Sequence, residues 1–215
     1  EGIEAELFAL DPTRANLVAR LRGNGSKRPI LVMAHTDVVG AQRENWSVDP
    51  FGAVVRDGYI YGRGSLDDKD NVTAGLMLML LLERAGVELD RDVIFLAEAG
   101  EEGTTRFGID YMVENHWDEI EAEYCLAEGG ETVMRDGEVW HVDISTTEKF
   151  PMRVRLVARG TAGHGSIPRL DNAVSALARA VGRLGAWESP LRLNETTRAY
   201  FDRLGDISSP EQAAR

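Results

Sequence analysis

The spacing of apolar and polar residues divides this chain into alternating strand-like and helix-like stretches. Residues 15–23 (ANLVARLRG) and 29–38 (PILVMAHTDV) predict strands, and residues 71–87 carry the long apolar stripe of a buried helix. A strand is predicted over 92–100 (DVIFLAEAG), a helix over 106–120 and a short buried strand over 122–130, ending in glycines. Strand, helix, strand, helix, strand is the order of an α/β domain with three layers and a mostly parallel sheet. Two further strands are expected over 137–150 and 151–160. In the second, Met152, Val154 and Leu156 alternate with Arg153 and Arg155. A helix over 168–187 follows, with Asp171 or Asn172 as its N-cap. A boundary near Lys149 divides residues 1–149 from residues 150–215, the start of a second domain that stops half built. No internal repeat or low-complexity segment is visible.

Composition narrows the function. The 215 residues carry a formal net charge of −12, which opposes phosphate backbones and anionic lipid, so neither nucleic acid nor a membrane surface is an expected partner. No apolar run is long enough to span a bilayer. The single cysteine, Cys125, forms no intrachain disulfide; this fits a reducing compartment, and a cytoplasmic location is the expectation. The chain opens on Glu1, not methionine, so the reading is of a fragment.

Chemistry gathers where strands end. In open α/β sheets the carboxyl ends of strands line the binding crevice, so polar groups there converge although they are distant in sequence. His35 and Asp37 end one strand, Asp67 and Asp68 lie in GRGSLDDK, Glu101 and Glu102 follow AEAG, and Glu128 follows EYCLA. One imidazole amid several carboxylates repels itself unless cations bind, and that donor set suits zinc, or less specifically cobalt or manganese. Asp37 shares a strand face with His35 and can fix its tautomer; a core histidine beside a capping aspartate is the plainer alternative. In each adjacent acid pair one carboxylate is free to bind metal while its neighbour handles a proton, the alternative being solvated loop charge.

The ordered motifs MAHTDVV, ENWSVDPFGAVVRDGYIYGRGSLDDK, AEAGEEG, LAEGG, EKF and GTAGHGSIP, from about Ala15 to Pro168, resemble the dizinc metallopeptidase family. That family includes aminoacylase-1, carboxypeptidase G, carboxypeptidase S and succinyl-diaminopimelate desuccinylase, and the motifs are most similar to its carboxypeptidase S and aminoacylase-1 branch. The resemblance implies a zinc-peptidase-like catalytic domain followed by an α+β lid or dimerisation domain, and a homodimer formed through the latter. It implies that His35 and Glu128 hold one zinc, that Asp67 bridges to a second, and that Glu102 holds the second. Glu101 is then the general base, Asp37 orients His35, the Asp67–Asp68 peptide is cis, and His164 polarises the scissile carbonyl in a partner's site. Two departures stand out. The family's fifth ligand, a histidine near its C-terminus, has no counterpart here, so the second metal site is expected to be weak. Asp70 stands where relatives carry glycine. His116 and His141, within a predicted helix and strand, match no ligand motif.

The expected activity is zinc-dependent hydrolysis of an amide bond next to a free carboxylate, in a peptide or an N-acyl amino acid. Two alternatives remain at this level. One is an inactive relative or fragment that keeps the fold for binding or dimerisation; the other is an amidohydrolase acting on N-carbamoyl substrates.

Overall fold

The computed structural model describes residues 2–145, 152–167 and 169–213. The chain divides into two compact units, Glu1–Thr147 and Glu148–Arg215. The expected boundary at Lys149 and the EKF motif lie outside the described residues.

The first unit is built on a five-stranded sheet of order β1-β2-β6-β3-β7. Strands β1 (Glu4–Asp11) and β2 (Arg14–Leu21) form an antiparallel hairpin, and β2 is also antiparallel to β6 (Val93–Glu98). Strands β3 (Ile30–His35) and β7 (Tyr124–Leu126) run parallel to β6, with His35 opposite Glu98. The sheet is therefore mixed, and its parallel half carries the expected β-α-β order. There the strands end at His35, Glu98 and Leu126 on one edge, which brings the chemistry-bearing loops together.

The middle strand explains the layers. All of β6 is buried, and its alternate side chains face opposite ways. Ile94 and Leu96 pack with Phe8, Val18, Leu31, Met112 and Ile120. Val93, Phe95 and Ala97 pack with Ala19, Leu21 and Met79 on the other face. Met79 belongs to α1 (Lys69–Ala85), which ends at Gly86 in the left-handed conformation. Met112 and Ile120 belong to α2 (Ile109–Asn115) and α3 (Trp117–Ile120). Helix, sheet and helix form the three layers.

Several sequence expectations are corrected. The stretch 106–120 is two helices, broken at His116. The His116 ring lies 4.6 Å from that of Phe8, tilted by 50°, and meets the Tyr111 hydroxyl at 3.0 Å, and these contacts outweigh helical periodicity. Strand β7 is present but exposed, because it is the sheet's edge strand. Helix α1 buries only Gly75 and Met79, leaving Leu76, Leu78 and Leu81 exposed, so it is half covered instead of buried.

The hairpins β4–β5 (Val54–Arg56, Tyr59–Tyr61) and β8–β9 (Thr132–Arg135, Glu138–Val142) were not expected as pairs. Their turns, Asp57-Gly58 and Asp136-Gly137, have positive φ at both residues, the conformation that Asp-Gly favours in two-residue hairpin loops. Of the strand expected over 137–150, β9 is present and residues 143–145 are not strand; residues 146–150 lie outside the described residues.

In the second unit, residues 152–160 form no strand, since no neighbouring strand supplies a hydrogen-bonding ladder among the described residues. Helix α4 (Ala173–Gly185) is capped by Asn172, whose Oδ1 accepts from the Ser175 amide at 3.1 Å. Helices α5 (Glu195–Ile207) and α6 (Pro210–Ala213) follow, and Asn194 caps α5 in the same way. No described helix is long and apolar enough to cross a membrane.

Candidate metal centre

His35 ends β3 with only 2% of its surface exposed. Its Nδ1 lies 3.0 Å from the Asp37 backbone carbonyl, which can only accept, so Nδ1 carries the proton and donates. In the neutral ring Nε2 is then a bare lone pair. It points at carboxylates: Asp67 Oδ1 at 3.0 Å, Glu128 Oε2 at 3.7 Å and Glu101 Oε2 at 4.0 Å. A lone pair facing carboxylates is repulsive unless a cation or a proton lies between them. Burial disfavours the His35 imidazolium, yet the Asp37 carbonyl and the Glu128, Asp68 and Asp67 carboxylates outweigh burial and raise its pKa above the ordinary histidine value.

The donor atoms of His35, Asp67 and Glu128 all lie within 4.8 Å of one another. Two donors bound at 2.0–2.1 Å to one tetrahedral ion stand about 3.3 Å apart. The 3.0 and 3.7 Å separations about Nε2 bracket that spacing. Imidazole plus two carboxylates is a donor set for zinc or a similar divalent ion. The other carboxyls report the same crowding. Burial, then the neighbouring Glu102, Asp37 and Asp67, raises the Glu101 pKa against the pull of His35. Burial and the Asp68, Glu101 and Asp67 charges do the same for Glu128.

The turn before α1 delivers Asp67 through a cis Asp67–Asp68 peptide. Asp68 is fully buried; its carboxylate accepts the His35 amide at 3.1 Å and also accepts from the Asn71 side chain. Both oxygens are thus occupied in fixing β3 to α1, so Asp68 holds backbone where the sequence left it free to handle a proton. The Lys69 amine reaches the Thr36 carbonyl across the same turn.

Asp37 links the two halves of the centre. While its carbonyl holds the His35 ring, its carboxylate accepts the Glu101 amide at 3.0 Å and the Glu102 amide at 3.2 Å. Its Oδ1 also stands 3.5 Å from His35 Nδ1, so the carbonyl is the nearer acceptor. Glu102 lies outside the His35, Asp67 and Glu128 group and lines, with Asp37, Thr36 and Arg14, a cavity of about 640 Å³. His164 belongs to the second unit, where its Nδ1 meets the Ser166 hydroxyl at 2.8 Å.

Sequence reasoning missed Asp68 as a strut and passed over Glu98 and Asn16. Both of the latter are buried polar residues within apolar strands, and that interruption is the signal that would have found them.

Comparisons with known proteins show what the chain is similar to. The human N-fatty-acyl-amino acid synthase/hydrolase PM20D1 is 36% identical over 171 residues, covering 77% of this chain and 34% of the relative. A succinyl-diaminopimelate desuccinylase of Delftia acidovorans is 34% identical, covering 72% of this chain and 40% of the relative. A probable carboxypeptidase S-like 2 of Dictyostelium discoideum is 31% identical, covering 84% and 36%. The crystal structure of an M20 family metallo-carboxypeptidase, Sso-CP2 from Sulfolobus solfataricus, superposes with a TM-score of 0.51 at 27% identity, covering 60% of this chain and 29% of that one. The chain spans about a third of the length of the curated relatives it matches. The family model described as Peptidase family M20/M25/M40 matches residues 31–186. With that match over most of its length, and with a histidine and carboxylates gathered where its parallel strands end, the chain belongs to peptidase family M20/M25/M40.

Proposed function

We propose that this chain supplies the metal-binding catalytic part of a zinc-dependent hydrolase that cleaves an amide bond next to a free carboxylate, in a peptide or an N-acyl amino acid. The observation that carries the reading is the His35 Nε2 lone pair facing Asp67 and Glu128. Its relatives' names, an N-fatty-acyl-amino acid synthase/hydrolase, a desuccinylase and a carboxypeptidase, support the substrate class.

His35, Asp67 and Glu128 would hold one zinc, and Asp67 with Glu102 a weaker second. When bound, the metal supplies a Lewis acid that polarises the carbonyl and lowers the pKa of water. Glu101 is the general base: its carboxylate stands 4.0 Å from His35 Nε2, beside the group that would hold the metal. It takes one proton from the attacking water as the oxygen bonds to the amide carbon. It returns that proton to the nitrogen as the C–N bond breaks, leaving a carboxylic acid and an amine. Asp37 keeps the proton on His35 Nδ1 and holds Glu101 through its amide. His164 is assigned the hydrogen bond to the carbonyl oxygen in a partner subunit's site, which makes the working enzyme a homodimer.

Glu101→Ala tests the mechanism. Turnover of an N-acyl amino acid by the protein carrying this chain is expected to fall by about 10²–10⁴-fold, with metal content unchanged. Undiminished turnover contradicts the assignment.

A further inference from the structure

Asn16 lies in β2, a strand that contributes no side chain to the group of His35, Asp67 and Glu128, and it is completely buried. Its Nδ2 donates to the Phe8 carbonyl at 3.1 Å and to the Phe107 carbonyl at 2.8 Å, while its Oδ1 accepts the Ala99 amide at 3.0 Å. Ala99 and Phe107 are the two ends of the loop that bears Glu101 and Glu102. A single side chain therefore closes that loop.

Glu98 adds a second anchor just outside the first. Its Oε2 accepts the Ile109 amide at 2.7 Å, where α2 begins. The closure leaves no spare room, since a Cβ on Gly108 would stand 2.4 Å from Glu98 Oε2 and 3.1 Å from the Gly100 nitrogen. The middle of the loop is held to Asp37 by the Glu101 and Glu102 amides. Without its base pinned, the loop would sample many conformations, and Asp37 alone would have to select one.

We infer that Asn16 is a positioning residue. Its amide, with Glu98 as the outer anchor, closes the 99–109 loop and so sets where the Glu101 and Glu102 carboxylates stand relative to His35, Asp67 and Glu128. The inference rests on the roles given above to Glu101 and Glu102. Correct placement of a base matters because a displacement of about 1 Å is enough to reduce rates on the order of 100-fold.

The test is hydrogen exchange on the 215-residue chain, followed by peptide, in Asn16→Ala and Asn16→Asp. In Asn16→Ala, amides of residues 99–109 are expected to exchange at least about tenfold faster, with those of β3 and α1 unchanged. Asn16→Asp keeps an acceptor for Ala99 but loses the donors to Phe8 and Phe107, so the rise is expected at the 105–109 end of the loop. A merely structural asparagine would instead loosen β1, β2 and β6 together. Such a spread, or unchanged exchange in the loop, overturns the inference. If Asn16→Ala does not fold, Gly108→Ala disturbs the outer anchor without touching Asn16, and the same loop-confined rise is expected; its absence overturns the inference. Failure of the functional reading appears separately, as undiminished turnover in Glu101→Ala.

Discussion

At the residue scale, the centre is organised by groups that hold ligand candidates in place. Asp37 accepts two amides from the loop opposite and holds the His35 ring through its carbonyl. Asp37→Ala removes the carboxylate, frees the Glu101–Glu102 segment and leaves the His35 orientation to the backbone. Zinc affinity is expected to fall about 10–100-fold, as for other outer contacts to metal ligands; calorimetric titration reads the change. Glu98 carries a different consequence. Burial raises its pKa to about 6, above the ordinary 4.5, with the Ile109 amide as the main opposing influence. Because the folded pKa is the higher one, the folded chain binds this proton more tightly than the unfolded chain. Glu98 therefore destabilises the fold above pH 6, and the penalty is relieved as pH falls from 6 toward 4.5. Metal-free Glu98→Gln is expected to be more stable than the parent at pH 8 by up to about 2 kcal/mol. The difference should vanish near pH 4.5 in urea denaturation. The proximity of His35, Asp67 and Glu128 is legible in the sequence because each follows a strand or a glycine turn at the sheet's carboxyl edge. Asn16 and Glu98 show in the sequence only as polar interruptions of apolar strands, and their roles, like that of Asp68, depend on partners in other segments.

At the element scale, strand β6 and helix α1 set the geometry of the centre. Gly75 in α1 rides directly on Phe95 of β6, where an added Cβ would meet the ring at 2.4 Å. Two effects oppose each other in Gly75→Ala. Alanine favours helix by about 1 kcal/mol over glycine, whereas overpacking a core costs about 1–3 kcal/mol and the ring has no flexible end to swing aside. Because the ring cannot yield, the cost falls toward the upper end of that range, and a net loss of up to about 2 kcal/mol is expected in chemical denaturation followed by tryptophan fluorescence. Periodicity identifies β2, β3, β6 and α1 because their apolar residues are packed on a partner within the first unit. It fails where the pattern depends on something beyond the segment. Residues 152–160 alternate like a strand yet have no ladder among the described residues, and β1, with Glu4 and Glu6 near its start, is a strand because β2 pairs with it. Both short hairpins hinge on an Asp-Gly pair, a stronger signal than the brief apolar runs beside it.

For the whole molecule, the acidic balance and the acidic centre belong together. A chain of net charge −12 attracts divalent cations by its summed field, and the crowded carboxylates around His35 give that field a focus. The three layers keep His35 and Glu98 buried, while the loops after β3, β6 and β7 stay largely exposed. The three-layer fold is legible from the order of elements. The antiparallel β1–β2 half of the sheet is not, because a hairpin and a crossover carry the same hydrophobic strand pattern. The central claim is that His35, Asp67 and Glu128 form a metal site, and zinc content per chain after dialysis against metal-free buffer tests it most directly. About one tightly held zinc per chain is expected, lost in His35→Ala and in Glu128→Gln. No retained zinc, or equal retention in both variants, would contradict the account.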